Sequence, residues 1–299
     1  KRKFLPRQLI FQSMRISSFF RRQFKKKRLA QYISKSSELH YLDKELFKSD
    51  IIGIDTEFDW RTTYFPKLSL IQIVTSDKIF IIDFLNIPSA SSLISFLENH
   101  DCLKIFHSVR SDATVLSKCL NCKCRNVFDI QIAEKLLLNG EIQSYGKIVE
   151  KYFGLKLDKM ETNSNWLKRP LTENQVIYAQ DDVDYLIEIY EIQEKILKKK
   201  GLLDQAFMLS ESEAILGNQP LINSRLKKRS KKFSKRDKEV FIWRENQAEN
   251  EDVPPSFIFK DKYINHLSKI LPKDTSAKKK VMKIIGDSEI SERFIKKFL

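Results

Sequence analysis

The chain has 299 residues, 42% of them hydrophobic, which is enough for one large domain or two smaller ones with cores of their own. No apolar run reaches the roughly 18 residues of a spanning helix, and four Cys are too few for a disulfide framework. Composition therefore excludes a helical membrane protein and a disulfide-stapled scaffold, and predicts a soluble protein of a reducing compartment such as the cytoplasm. Lys and Arg number 54 against 39 Asp and Glu, for a net charge of +15. That balance favours polyanionic partners, nucleic acid or an acidic membrane surface, with a merely solubilising surface as the alternative.

Residues 1–37 carry 12 Lys or Arg and no acid. This basic arm reads as a nucleic-acid-binding extension, an acid-poor organelle-targeting peptide or a disordered segment. A folded domain is predicted over 38–201. It starts with three apolar runs, "IIGID", "SLIQIV" and "IFIIDF", the last two joined by the polar connection "TSDK", which predicts three sequential antiparallel strands. There follow a helical pattern from Ala90 to Asn99, a short strand at Leu103 to Phe106, a helix from about Ser108 to Leu120, a strand near Val127 and a helix through "IQIAEKLLL". The order βββαβαβα implies a mixed sheet flanked by helices, an α/β fold. Thr172 with Gln175 makes a capping box for one long helix running to about Lys199, and Gly201 ends the domain.

In "CLNCKC", Cys119, Cys122 and Cys124 have zinc-like spacing without a second ligand pair, and ordinary reduced thiols are the simpler reading. Residues 202–234 read as a connecting helix and basic linker. Residues 235–299, punctuated by "VPPS" and "LPKD", read as a small all-α domain.

Asp55 and Glu57 stand at i and i+2 where the first strand surfaces, so they share a face while Thr56 points the other way. Paired carboxylates repel unless a cation lies between them, and Mg²⁺ or Mn²⁺ is the usual solution. For a bare pair of acids at a strand end, an ordinary solvated surface is the simpler reading. Asp59, next on the same alternation, is expected to have left the strand. Tyr178 and Asp182 stand one helical turn apart on the flank of an apolar stripe, with Asp181 turned further toward solvent. Asp112 stands near the start of its helix and completes a set of four acids able to hold two cations about 4 Å apart.

The stretches "DTEFDWRTTYFPKLSLIQI", "FHSVRSDATVL", "FDIQIAEKLL" and "GLKLDKMETNSNWLKRPLTENQVIYAQDDVDYL" resemble the ribonuclease D family, within the DEDD exonucleases of ribonuclease H-like fold, over roughly residues 38 to 200. Residues 239–272 are similar to the helical HRDC domain that follows the nuclease in that family. Its bacterial members typically carry two such domains, and this chain has length for one. The resemblance implies Asp55, Glu57, Asp112 and Asp182 as metal ligands, and Tyr178 as the water-orienting residue of the tyrosine subclass. It also implies a two-metal 3′–5′ exoribonuclease that trims tRNA precursors and other structured RNAs. A DNA exonuclease of the same fold and a catalytically silent RNA-binding scaffold remain the competing readings.

Further candidates for substrate contact are His107, Trp60, Arg61, Tyr64 and Arg169, the aromatics by stacking on terminal nucleotides and Arg169 by reaching a phosphate. Core packing is as good a reading for Phe65, a packing or capping role for His107, and a solvated helix-start position for Arg169.

Overall fold

The computed structural model describes residues 28–87, 91–286 and 288–299. Most of the expected basic arm, through residue 27, and Ala90 at the head of an expected helix lie outside the described residues. The described residues form two compact units, one within 28–58 and 68–218, the other within 59–67 and 219–299.

The first unit is built on a sheet of β1 (Leu29–Ile33), β2 (Ile51–Asp59), β3 (Lys67–Val74), β4 (Lys78–Asp83), β5 (Leu103–Phe106) and β6 (Val127–Asp129). Their spatial order is β1-β4-β3-β2-β5-β6. The β3–β4 hairpin is antiparallel, with Ile71 opposite Ile82. β1 runs parallel to β4, β2 to β5, and β5 to β6. The sheet is thus mixed, as expected, with one strand more than expected. β1 lies in the segment assigned to the basic arm, where surrounding Lys and Arg mask a five-residue apolar alternation. Arg28 is itself buried, with its guanidinium paired to Asp184 at 3.0 Å and Glu188 at 2.8 Å.

Strand alternation sends side chains into two apolar layers. Ile52, Ile54, Ile71, Ile73, Phe80 and Ile82 share one core with α1 (Leu39–Leu46), α2 (Ser91–Glu98) and α3 (Arg110–Leu120). Leu70, Val74, Ile79, Ile81 and Ile105 share the other with α4 (Ile130–Leu137), α5 (Tyr145–Phe153), α6 (Glu173–Asp184) and α7 (Leu186–Lys200).

The capping box of Thr172 and Gln175 opens α6. The single long helix expected after it breaks at Tyr185, whose N–H donates to the Tyr145 hydroxyl at 3.1 Å. Just beyond, Leu186 presses against Gly53, where an added Cβ would stand 2.7 Å from Leu186 Cβ. Only glycine lets β2 and α7 approach so closely.

Gly201 ends α7 but not the unit. The chain continues into α8 (Leu203–Gly217), which buries Ala206, Ser210, Ala214 and Gly217. A Cβ on Gly217 would come within 2.6 Å of the Arg110 carbonyl oxygen, so small residues set the depth of this packing. Two polar side chains of α8 reach β6, the last strand of the sheet. Ser210 Oγ accepts from Asp129 N–H and Glu211 from Val127 N–H, each at 2.9 Å.

The second unit contains α9 (Leu221–Arg229), α10 (Lys235–Asn250), α11 (Pro255–Ile258), α12 (Ile264–Ser268), α13 (Ala277–Ile285) and α14 (Glu289–Phe298). Val240, Phe241, Phe259, Val281 and Phe294 form its core. The expected basic linker is largely α9 and a 3-10 turn at Ser230–Lys232, after which Ser234 and Asp237 cap α10. All four cysteines are free, and among the described residues they form no metal-capable cluster. No helix among those residues is long and apolar enough to cross a membrane.

Candidate active site

Asp55 and Glu57 leave β2 on the face opposite Ile52, Ile54 and Thr56. Asp182 comes from α6, one turn beyond Tyr178. One carboxylate oxygen from each of Asp55, Glu57 and Asp182 lies within 4.8 Å of the others. Asp112, on α3, stands outside this trio. It belongs to the other layer and meets β2 through Thr56, whose Oγ1 donates to Asp112 Oδ1 at 2.6 Å.

Burial raises all four acids, and their neighbours' charges add to the rise at Asp55 and Glu57. Desolvation, then the charges of Asp112, Asp182 and Glu57, hold the Asp55 carboxyl well above the ordinary range. Glu57 is pushed up to about 9 by burial and by Asp182 and Asp112. Asp112 and Asp182 both rise to about 7, chiefly through burial, with the Thr56 hydroxyl opposing the rise at Asp112 and the Tyr178 hydroxyl opposing it at Asp182. Crowded oxygen donors, with no Arg among the causes that shift them in the described residues, are the chemistry that hard divalent cations satisfy, so the residues present fit such ions.

A cavity of 410 Å³ opens over these groups. Besides Asp55, Thr56, Glu57, Tyr178 and Asp182, its walls include His107, Tyr145, Lys159 and Thr162. Burial raises the Tyr178 phenol, as do the charges of Asp182, Glu57 and Asp55, so it stays protonated. Its hydroxyl lies 3.2 Å from Thr162 Oγ1, and its ring lies beside that of Trp166. His107 Nε2 lies 3.2 Å from both the Gln143 carbonyl oxygen and Gln131 Nε2. Burial lowers its pKa, against the Asp129 charge, which favours a neutral ring.

Residues 30–198 match the family described as 3′-5′ exonuclease, and residues 235–299 match the HRDC domain. Ribonuclease D of Desulfotalea psychrophila is 32% identical over 253 residues, covering 80% of this chain and 67% of the relative. The chain belongs to the ribonuclease D family. Ribonuclease D of Haemophilus influenzae is also 32% identical, over 75% of this chain and 59% of its own length, so the chain spans about three fifths to two thirds of these relatives. Among solved structures, Escherichia coli RNase D, an exoribonuclease involved in structured RNA processing, superposes with a TM-score of 0.77 at 25% identity. That match covers 90% of this chain and 72% of the other.

Two of the remaining sequence candidates have structural partners instead of a place at a ribonuclease D cavity. Arg169 is committed elsewhere: Nε and Nη2 donate to the two Asp83 oxygens at 2.7 Å each, Nη1 to Trp166 O at 2.7 Å and Nη2 to Ser69 Oγ at 3.1 Å. Asp83 is fully buried and needs that fork, so neither a phosphate contact nor a solvated Arg describes the residue. Tyr64 is 1% exposed within the helical unit's core, which leaves no ring face for a nucleotide, and Phe65 packs against the same core.

Trp60 is 42% exposed, and the exposed Arg61 pairs with Asp59. Asp59 is the last residue of β2, so the strand runs further than expected.

Thr56, Tyr145, Lys159 and Thr162 are among the wall residues that the sequence does not single out. Thr56 carried a signal, its place between the two acids, whereas Thr162 and Lys159 sit in an aperiodic stretch that offers none.

Proposed function

We propose that this protein is a divalent-metal-dependent 3′–5′ exoribonuclease that releases nucleoside 5′-monophosphates from tRNA precursors and other structured RNAs. The observation that carries the reading is the convergence of Asp55, Glu57 and Asp182 within 4.8 Å, beneath a cavity that Tyr178 also lines, in a chain of this family. Asp55, Glu57, Asp112 and Asp182 would hold two Mg²⁺ or Mn²⁺ ions, which when bound would supply charge neutralisation at the phosphodiester and a more acidic attacking water.

The chain's own side chains set the geometry. Tyr178 keeps its proton and orients the attacking water by a hydrogen bond, with Thr162 fixing the phenol. Thr56 aims Asp112 from the far layer. His107 stays neutral, borders the cavity and contacts the terminal nucleotide. Lys159 is the cationic wall residue suited to a substrate phosphate. Trp60 and Arg61, both exposed, stay candidates for contact with RNA.

Net charge +15 and the basic segment 225–238 supply phosphate affinity that weakens steeply with salt. The processing of structured RNA stated for the E. coli relative supports the same substrate class here.

RNA labelled at its 5′ end should yield a ladder shortening from the 3′ end in Mg²⁺ or Mn²⁺ and stay intact in excess chelator. Asp55→Ala should abolish cleavage while RNA binding persists. Ordinary digestion in chelator, or an active Asp55→Ala protein, overturns the reading. A faster reaction on the matched DNA oligomer would reassign the substrate.

A further inference from the structure

Asp112 stands in the first turn of α3, yet that helix has no capping side chain of its own, because its N-cap residue is Val109. The turn that leads into it is unfavourable by itself. Ser108 holds φ +67°, a left-handed conformation that residues other than glycine adopt at a cost.

Asp129 secures this entrance from the end of β6, where it stands opposite Phe106 in the parallel register of β5 and β6. It is 2% exposed, and both of its carboxylate oxygens take backbone N–H groups. Oδ2 accepts from Val109 at 2.9 Å. Oδ1 accepts from Ser108 at 3.0 Å, from Gln131 at 2.8 Å and from Ile132 at 3.4 Å. One buried carboxylate therefore caps α4, as its N-cap residue, and also the uncapped start of α3. Hydrogen bonds to an ionised acceptor are the stronger kind, so the two helix starts are pinned to a single point.

Both starts carry groups of the site. Asp112 reaches Thr56 from α3, and His107, just before Ser108, lines the cavity. On α4, Gln131 Nε2 lies 3.2 Å from His107 Nε2 and 3.0 Å from the Gln143 carbonyl oxygen. Asp129 is not itself a wall of that cavity, so its influence on the site runs through the backbone it holds.

We infer that Asp129 is a positioning residue for the nuclease site: by binding the N–H groups of Ser108, Val109 and Gln131 to one carboxylate, it sets where Asp112 and His107 stand. The inference rests on the exoribonuclease reading above.

The test compares Asp129→Asn, Asp129→Ser and Ser210→Ala with the unmodified protein. It uses a short single-stranded RNA, with kcat, KM and the Mn²⁺-induced rise in Tm as readouts. Asn and Ser are both good N-caps and keep one oxygen for Gln131 and Ile132. Asn, however, turns its NH₂ toward the Val109 N–H, donor against donor, and Ser has no second oxygen to offer. Either change should lower kcat about tenfold or more, because small misplacements of reacting groups are costly. Each should also shrink the Mn²⁺-induced rise in Tm and leave KM for RNA within about twofold. Rates are compared on the plateau of each pH profile, so that the lost Asp129 charge does not act through protonation of its neighbours. Ser210→Ala removes the acceptor of the Asp129 N–H but spares the carboxylate bonds. It should lower Tm while kcat and the Mn²⁺ response stay parental.

Folded Asp129→Asn protein with parental kcat or a parental Mn²⁺ response overturns the inference, as does a loss confined to KM or an equal loss of kcat in Ser210→Ala. Asp129→Ser decides if Asp129→Asn does not fold. Failure of both to fold makes Asp129 a folding residue only and overturns the inference too. An inactive parent whose Mn²⁺-induced rise in Tm still depends on Asp129 would sink the exoribonuclease reading and leave the positioning role standing.

Discussion

Thr56 Oγ1 donates to Asp112 Oδ1 at 2.6 Å, so the residue between the two strand acids ties β2 to the fourth acid on the opposite layer. Losing that bond frees the Asp112 carboxyl to rotate and to rise further above its ordinary range. Thr56→Val, close in shape, should lower kcat about tenfold, the worth of one well-placed hydrogen bond. Thr56→Ser should retain most activity. Steady-state rates on a labelled oligomer check this, and an unimpaired Thr56→Val enzyme would show that Asp112 orients itself.

Tyr178 meets Thr162 at 3.2 Å, and both line the cavity. Tyr178→Phe should cost about 10² to 10³ in kcat, within the range for groups that assist proton movement. Thr162→Val should cost less, about threefold to tenfold. In the double variant the losses should not add, because Thr162 acts through the phenol. Additive losses would separate the two roles.

The raised acids make a pH prediction. Asp112 and Asp182 rise to about 7 and Glu57 to about 9, against an unfolded value of about 4. Between those limits the folded protein binds more protons than the unfolded chain, so its stability must fall as pH rises. Metal-free protein should lose several degrees of Tm between pH 5 and pH 8, and Mn²⁺ should restore most of the loss. Asp55→Asn should stabilise the metal-free protein at pH 8 and weaken the response to Mn²⁺. A metal-free Tm that climbs over this range contradicts the crowding of the acids.

Asp83 ends β4 fully buried, where desolvation would raise its pKa, yet Arg169, Tyr32 and Asn86 hold it below the ordinary range. Asp83→Asn strands the Arg169 guanidinium and should cost about 3 kcal/mol of stability. Arg169→Lys should also destabilise, since one ammonium cannot satisfy both oxygens along with Trp166 O and Ser69. Denaturant midpoints measure both, and neither change should alter the salt dependence of RNA binding.

Local periodicities made the acids legible. Alternation put Asp55 and Glu57 on one strand face, and the helical turn put Tyr178 beside Asp182. The structural roles of Arg169 and Tyr64 are not legible locally, because their partners, Asp83 and Asp252, lie 86 and 188 residues away in the chain. The break at Tyr185 depends on Tyr145 and Gly53, which no helical pattern contains. β1 was hidden by the charges around it. The end of the nuclease unit was misplaced because α8 packs through Ala206, Ser210, Ala214 and Gly217, whose small side chains carry little hydrophobic signal.

The contacts of α8 with β6 bear on how this protein avoids sticking to itself. A terminal strand offers unpaired N–H groups that invite a strand from another molecule. Here Ser210 and Glu211 occupy the N–H groups of Asp129 and Val127. A fragment stopped at Gly201 would keep all four acids and Tyr178 but present a bare sheet edge. It should therefore aggregate under conditions in which a fragment extended to Asn218 stays monodisperse. Through those two side chains, α8 sets the shortest nuclease unit that can be handled in solution.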